Sequence, residues 1–143
     1  MADIAASVPM ANTYSIETVI AEKIDAILSL MELSSRMKDY YDIHYLANKF
    51  DFDGTILSRA IRMTFENRSH SFSVEQFEEV MRFDEDAIMQ QKWNAFCRKI
   101  NTKTDDFSTV LKTMSTFLTK PYISAVQNEE CSSHWSAFKG KWE

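Results

Sequence analysis

Apolar side chains recur every three or four residues between positions 16 and 31, which is the spacing of one face of an α-helix. Ser15 stands directly before the first of them and is a suitable N-cap. The pattern therefore predicts a first helix with one apolar arc. The members of the arc are Ile16, Val19, Ile20, Ile24, Ile27, Leu28 and Met31.

A second helix is predicted from about Arg36 to Lys49, with Ser34 or Ser35 as its cap. It has two apolar stripes, so most of its surface should be buried. The short connection between the two helices predicts that they are antiparallel neighbours. The stripes are Met37, Tyr40, Tyr41 and His44 on one side, and Ile43, Leu46 and Phe50 on the other.

Four further helical patterns follow along the chain. Asp53 is the predicted N-cap of the third helix, and Ser73 with Gln76 forms a capping box before the fourth. Asp84 opens the fifth pattern, which ends at a polar break over residues 101–104. The sixth should stop before Pro121, because proline lacks the N–H group that a helix needs. No convincing strand is predicted.

These patterns predict an all-α fold, a compact bundle of about five or six helices. Residues 1–14 are expected to form a flexible N-terminal segment, residues 15–121 the helical domain, and residues 122–143 an irregular tail. The tail is too aromatic to be free, so it should dock on the bundle. Its large aromatic side chains are Trp135, Phe138 and Trp142.

Composition narrows the class of protein. A chain of 143 residues with 45% hydrophobic residues can bury a core, and a net charge of −5 argues against bulk attraction to nucleic acid. No apolar run reaches membrane-spanning length, and no secretory signal is evident. Cys97 and Cys131 are two lone cysteines, which is typical of a reducing compartment. We therefore expect a cytoplasmic protein without a membrane partner.

Lys23 falls inside the apolar arc of the first helix, while Glu22 and Asp25 fall outside it. Lys23 could bury its stem and expose its ammonium group at the edge of the core. Alternatively, it points into a cleft and pairs with an anion. A charge on a buried stripe is costly unless it is paired or bound to something.

Asp39 continues an apolar stripe of the second helix, and Asp42 lies one turn before Leu46. With Lys38, these acids could be ordinary first-turn charges that the helix dipole favours. We favour a site for Asp39 together with Lys23, and we expect the two side chains to approach each other as an ion pair.

The three histidines show no metal-ligand spacing. His44 lies on the tyrosine-rich side of the second helix and is expected to be a hydrogen-bonded histidine of the core or of a groove.

The run Ala21-Glu22-Lys23, followed by Arg36-x-Lys38-Asp39-x-x-Asp42-Ile43, resembles the C-terminal motif pair of the AbiEii/AbiGii toxin family of nucleotidyltransferases. The resemblance covers roughly residues 14–122, with a weaker extension through the tryptophan-containing tail to Trp142, and includes several later patterns. These are Phe52-Asp53-Gly54, Leu57, Ala60-Ile61, Thr64-Phe65-Glu66-x-Arg68 and Phe117-Leu118-x-x-Pro121.

The resemblance implies nucleotidyl transfer from a nucleoside triphosphate, often to RNA, by the toxin half of a toxin–antitoxin pair. It implies that Lys23 helps to hold the triphosphate and that Asp39 contributes to the catalytic site. Arg36, Lys38 and Asp42 join Lys23 as candidate nucleotide-binding residues. For a complete family member it also implies Mg²⁺, an RNA acceptor and an antitoxin protein.

The chain departs from the family in one respect. Members supply their metal ligands from a Gly-Ser turn followed by Asp-x-Asp on a strand, upstream of the lysine. This sequence has no Gly-Ser pair, and its two Asp-x-Asp runs do not follow a predicted strand. We therefore expect no metal ligands and a truncated gene product or fragment that corresponds to the C-terminal half. The two runs are Asp51-Phe52-Asp53 and Asp84-Glu85-Asp86.

Two functions remain open at this point. The chain could be a nucleotidyltransferase half that binds a triphosphate weakly or not at all alone and packs against a missing N-terminal half. It could instead be a stand-alone helical module that binds an antitoxin-like partner or itself. An exposed apolar patch on the first two helices, next to Lys23, would fit either function.

Overall fold

The computed structural model describes residues 15–34, 36–101 and 103–143. The expected flexible segment, residues 1–14, lies outside the described residues. Within them the chain forms short 3₁₀ turns at Met31–Leu33 and Phe83–Glu85 and six α-helices. The helices are α1 (Ile16–Leu30), α2 (Met37–Lys49), α3 (Gly54–Asn67), α4 (Val74–Val80), α5 (Ala87–Ile100) and α6 (Phe107–Val126).

The helices pack around one core. Both α1 and α6 contact α2, α3 and α4, and α1 contacts α2 as its neighbour along the chain. The apolar arc of α1 is buried from Val19 to Leu28, as its period predicts. The predicted helical fold class is confirmed.

A small antiparallel sheet joins the middle of the chain to its end. Its strands are β1 (Phe52–Asp53), β2 (His134–Ser136) and β3 (Lys141–Trp142), in the order β1-β2-β3. Phe52 faces Trp135, which in turn faces Trp142. The prediction that the chain has no strand and an irregular tail is wrong. Strands of two or three residues are too short to show alternation.

Most of the predicted helix starts are confirmed. The Ser15 side chain accepts a hydrogen bond from the Thr18 amide, Asp53 caps α3, and Ser73 forms the capping box of α4. The start of α5 is Ala87 with Asp86 as its cap, because Asp84 belongs to the preceding 3₁₀ turn.

The start of α2 also differs from the prediction. Arg36 is its N-cap and makes no side-chain capping bond, while the Ser34 hydroxyl accepts a hydrogen bond from the Arg36 amide (3.0 Å). Ser35, the alternative cap, lies outside the described residues.

The sixth helix does not stop before Pro121 but runs on to Val126. Proline cannot donate the hydrogen bond that the carbonyl group of Phe117 would receive within the helix. The indole Nε1 of Trp142 donates to that carbonyl oxygen instead, at 2.9 Å. The tail therefore compensates for the proline, and the helix passes the expected boundary at residue 121.

Two of the three tail aromatics dock on the bundle. The Trp135 indole donates to the Ala47 carbonyl oxygen at the end of α2 (2.7 Å), and Trp142 stacks on Phe117. Phe138 is 97% exposed in the turn between β2 and β3, so the expectation that it docks is wrong. None of the described helices has the length and hydropathy needed to cross a membrane.

Candidate functional site: the Lys23 cluster

Lys23 lies on the packed side of α1, where Ile20, Ala21 and Ile24 are fully buried. Its own side chain is 16% exposed. The helical period that buries the arc thus also brings this ammonium group against α2, one of the helices that α1 contacts.

The Lys23 ammonium group meets two carboxylates of α2. Its Nζ lies 2.9 Å from Asp42 Oδ2 and 3.5 Å from Asp39 Oδ1. The predicted approach of Lys23 to Asp39 is confirmed, although Asp42 is the nearer partner. Lys23 is therefore paired with anionic groups rather than extended into solvent.

Two more cations border these carboxylates. Arg36 Nε lies 3.1 Å from Asp39 Oδ2, and Lys38 Nζ lies 2.7 Å from Asp42 Oδ2. Both side chains are more than half exposed, so they form the outer rim. We name the five residues Lys23, Arg36, Lys38, Asp39 and Asp42 the Lys23 cluster. It carries one positive charge in excess.

Asp39 is the most buried side chain of the cluster. Its side chain is 5% exposed, and its Oδ2 makes no hydrogen bond among the described residues despite the nearby Arg36. The short distance to Arg36 thus reflects charge proximity without hydrogen-bond geometry. Burial raises the pKa of Asp39, and the charges of Arg36 and Lys23 oppose this effect. The site holds a carboxylate whose charged state is only partly compensated.

The expected apolar patch on the first helix is absent from the described residues. The arc residues next to Lys23, including Ile20, Ile24 and Ile27, are at most 1% exposed. The described helices cover that side of α1 themselves. The large apolar groups that are exposed near α1 and α2 are Leu30, Leu33, Tyr45 and Phe50.

The described residues do not fit a Mg²⁺ site of their own. They contain no group of three or more His, Cys, Asp or Glu side chains that could hold a metal ion. Asp39 and Asp42 each face two cationic side chains, whose positive charge disfavours a divalent cation between them. In the Asp-x-Asp runs, Asp53 and Asp86 cap helices, and Asp51 accepts a hydrogen bond from the Ala137 amide.

A second charged group on α1 was missed by sequence reasoning. Asp25, outside the predicted arc, is 2% exposed, and its Oδ2 lies 2.9 Å from His70 Nδ1. Arg68 bonds to Glu22 and approaches Asp25 at 3.9 Å. The partners follow α3, more than 40 residues along the chain, so the local pattern around Asp25 contains no signal for them.

A surface pocket of about 280 Å³ lies between α2 and the segment before α6. His44 lines it and is 8% exposed, with Nε2 2.8 Å from Asp105 Oδ2. The prediction of a hydrogen-bonded groove histidine is therefore confirmed. The exposed residues Tyr45, Asn48 and Lys103 also line this pocket.

Comparison with known proteins identifies the family of the chain. No curated protein and no solved structure matches the chain. The model of one family, described as the nucleotidyl transferase AbiEii toxin of type IV toxin–antitoxin systems, matches residues 2–114. The match spans most of the 143 residues and includes the Lys23 cluster and α2. The chain belongs to the AbiEii nucleotidyl transferase toxin family.

Proposed function

We propose that this chain is the helical part of a nucleotidyltransferase and that its Lys23 cluster binds the triphosphate of a nucleoside triphosphate. The observation that carries the proposal is a group of three neighbouring cations, one largely buried and two exposed to solvent. Lys23 is nearly buried, while Arg36 and Lys38 are exposed beside it. Family membership supports a nucleotide as the anion.

The arrangement suits a phosphate chain. Lysine ammonium and arginine guanidinium groups donate charge-assisted hydrogen bonds to phosphate oxygens. Asp42 lies within 3 Å of both Lys23 and Lys38, so it holds the two ammonium groups close together before a ligand arrives. Such pre-organisation lowers the entropy that binding must overcome.

Asp39 has a different role in this proposal. Its Oδ2 has no hydrogen-bond donor among the described residues, but it is buried and lies 3.1 Å from Arg36 Nε. In this proposal Arg36 moves to the phosphates when the nucleotide binds, and this oxygen then accepts a hydrogen bond from a substrate hydroxyl group. The raised pKa brings this carboxyl group closer to the range in which proton transfer is useful. Asp39 is thus the proposed catalytic residue, and Lys23 is both a catalytic and a nucleotide-binding residue.

The metal chemistry must come from elsewhere. Nucleotidyl transfer requires a divalent cation to neutralise the triphosphate, and the described residues provide no site for one. Residues 1–14, 35 and 102 contribute a single carboxylate, Asp3, so we place the metal ligands in another polypeptide. A nucleotide acceptor such as RNA and an antitoxin protein remain proposals that follow from the family.

Calorimetric titration of the full chain with nucleoside triphosphates and Mg²⁺ tests the proposal. Lys23→Ala should weaken binding at least tenfold, since it removes the central cation. Lys112→Ala, an exposed lysine of α6, is the matched control and should bind like the wild type. Equal affinities of wild type and Lys23→Ala, with both folded by thermal melt, would contradict the assignment.

A second candidate function is contact with a partner protein, either an antitoxin or a second copy of the chain. Two large apolar side chains are available for such a contact: Leu33 is 83% exposed and Phe138 97% exposed. Light scattering of the wild type, Leu33→Ser and Phe138→Ser tests self-association. A monomeric wild type that also fails to bind an antitoxin would remove this candidate.

A further inference from the structure

The pocket beside His44 has walls of mixed chemistry. Tyr41 and Tyr45 offer aromatic rings from α2, and Asn48 offers an amide group. Lys49 and Lys103 are exposed cations at its border. Aromatic rings stack on nucleobases, amide groups pair with base edges, and lysines pair with phosphate oxygens. This combination fits a nucleotide better than it fits a purely apolar ligand.

The wall opposite α2 is held in place. Asp105 bonds through its side chain to His44 Nε2 (2.8 Å) and through its carbonyl oxygen to the Trp93 indole (3.2 Å). Within α2, the Asn48 amide donates to the His44 carbonyl oxygen (2.9 Å), which orients the Asn48 side chain. Asp105 thus ties the segment before α6 to α2 through His44 and to α5 through Trp93, and this structure contains the pocket without a ligand.

The pocket and the exposed rim of the Lys23 cluster meet on one face of α2. Lys38, Asp42, Tyr45 and Lys49 follow the i, i+4, i+7, i+11 spacing of that face, while Asn48 lines the pocket from about 120° round the helix from Asp42. With a rise of about 1.5 Å per residue, Tyr45 lies about 5 Å further along the axis than Asp42, and Asn48 about 9 Å further. A ligand with phosphates at one end and a ring at the other can extend along this face.

We propose that the pocket beside His44 binds the nucleobase of the nucleotide. This inference rests on the proposed function, because it assigns the phosphates of the same molecule to the Lys23 cluster. Tyr45 supplies the stacking surface and Asn48 the polar contact to the base edge. The His44–Asp105 pair acts as a positioning element for the pocket wall.

The test compares two probes in the full chain, by calorimetry with Mg²⁺: each of the four ribonucleoside triphosphates, and inorganic tripolyphosphate. At least one nucleoside triphosphate should bind about tenfold or more tightly than tripolyphosphate. Tyr45→Ala should remove that advantage and leave tripolyphosphate binding unchanged, while Tyr45→Phe should retain it. Tyr45 is 49% exposed, so its truncation should leave the fold intact. Phe138→Ala is the exposed aromatic control.

The outcomes separate this inference from the proposed function. Equal binding of nucleoside triphosphate and tripolyphosphate, or an advantage that survives Tyr45→Ala, overturns the nucleobase pocket alone. Tripolyphosphate binding that is unaffected by Lys23→Ala overturns the phosphate role of the Lys23 cluster, even if Tyr45→Ala still weakens nucleotide binding. Failure of every nucleoside triphosphate to bind overturns both.

Discussion

Asp39 sits where burial and neighbouring charge act in opposite directions. Burial is the larger influence and raises the pKa of the carboxyl group, while Arg36 and Lys23 lower it. The folded protein therefore holds this proton at pH values where the unfolded chain has released it. The contribution of Asp39 to the free energy of unfolding is therefore fully present below the ordinary aspartate pKa. It is lost as the pH rises through the raised pKa of the folded protein.

The first prediction follows from the upward direction of the Asp39 pKa shift. Asp39→Asn removes the ionisation and should leave the free energy of unfolding at pH 7 equal to or above that of the wild type. The difference between the two proteins should shrink as the pH falls below the ordinary aspartate pKa. Denaturant unfolding at several pH values measures it.

Asp25→Asn is the matched control for this prediction. Asp25 is also buried, but His70 and Ser29 both contact its carboxylate, so the substitution should destabilise the fold by about 1–3 kcal/mol. A large loss of stability in Asp39→Asn as well would show that Asp39 is an ordinary structural ion-pair partner.

At the residue scale, the sequence identifies charges that interrupt an apolar stripe. Lys23 and Asp39 both do so. Their pairing could be predicted, because an ion pair lowers the free-energy cost of burying each charge. The burial of Asp25 could not be predicted. Its partners His70 and Arg68 follow α3 in the chain, and they lie next to Asp25 because α3 packs against α1.

At the element scale, α6 depends on the tail. Pro121 leaves the Phe117 carbonyl group without its helical donor, and the Trp142 indole takes that place. Trp142→Phe should destabilise the wild type by about 1–3 kcal/mol, since it keeps an aromatic ring but leaves a carbonyl group unsatisfied. In a Pro121→Ala background the new amide can satisfy Phe117, so the same substitution should cost about 1 kcal/mol less.

A double-mutant cycle of these two positions, measured by denaturant unfolding, checks this second prediction. Strictly additive effects would mean that the hydrogen bond between Trp142 and Phe117 is not coupled to the proline.

Gly54 opens α3 in close contact with the segment before β2. A Cβ atom there would lie 2.6 Å from Cys131 Sγ and 2.6 Å from the Ser133 carbonyl oxygen. The third prediction is that Gly54→Ala costs about 3 kcal/mol and makes the buried Cys131 thiol reactive towards alkylating reagents.

Gly140→Ala is the control for this third prediction. Gly140 has a positive φ of 65° but no neighbour within 4 Å, so its substitution strains only the backbone, by about 1–2 kcal/mol. Mass spectrometry of the labelled thiols distinguishes the two variants. Unchanged protection of Cys131 in Gly54→Ala would contradict the close contact.

The helices could be predicted because each carries several turns of apolar period and most carry a capping side chain. The strands could not, because β1 to β3 are two or three residues long and are defined by pairing between distant segments. The passage of α6 through Pro121 was equally hidden, since its compensating donor is Trp142, 21 residues later.

At the scale of the whole molecule, nucleotide binding is separable from nucleotide transfer. The fourth prediction is that the 143-residue chain alone transfers no nucleotide, because its described residues build no metal site. Incubation with labelled nucleoside triphosphates, Mg²⁺ and bulk RNA should leave the RNA unlabelled. Labelling that Lys23→Ala abolishes would prove this prediction wrong.

The central claim, that the Lys23 cluster binds phosphate, is tested most directly by the affinity for tripolyphosphate in two variants. Lys23→Ala removes a cation and should weaken binding about tenfold or more. Asp39→Asn removes a negative charge beside the same cations and should tighten binding several-fold. Opposite changes in the two variants support a phosphate site. No change in either variant, or the same direction of change in both, would contradict it.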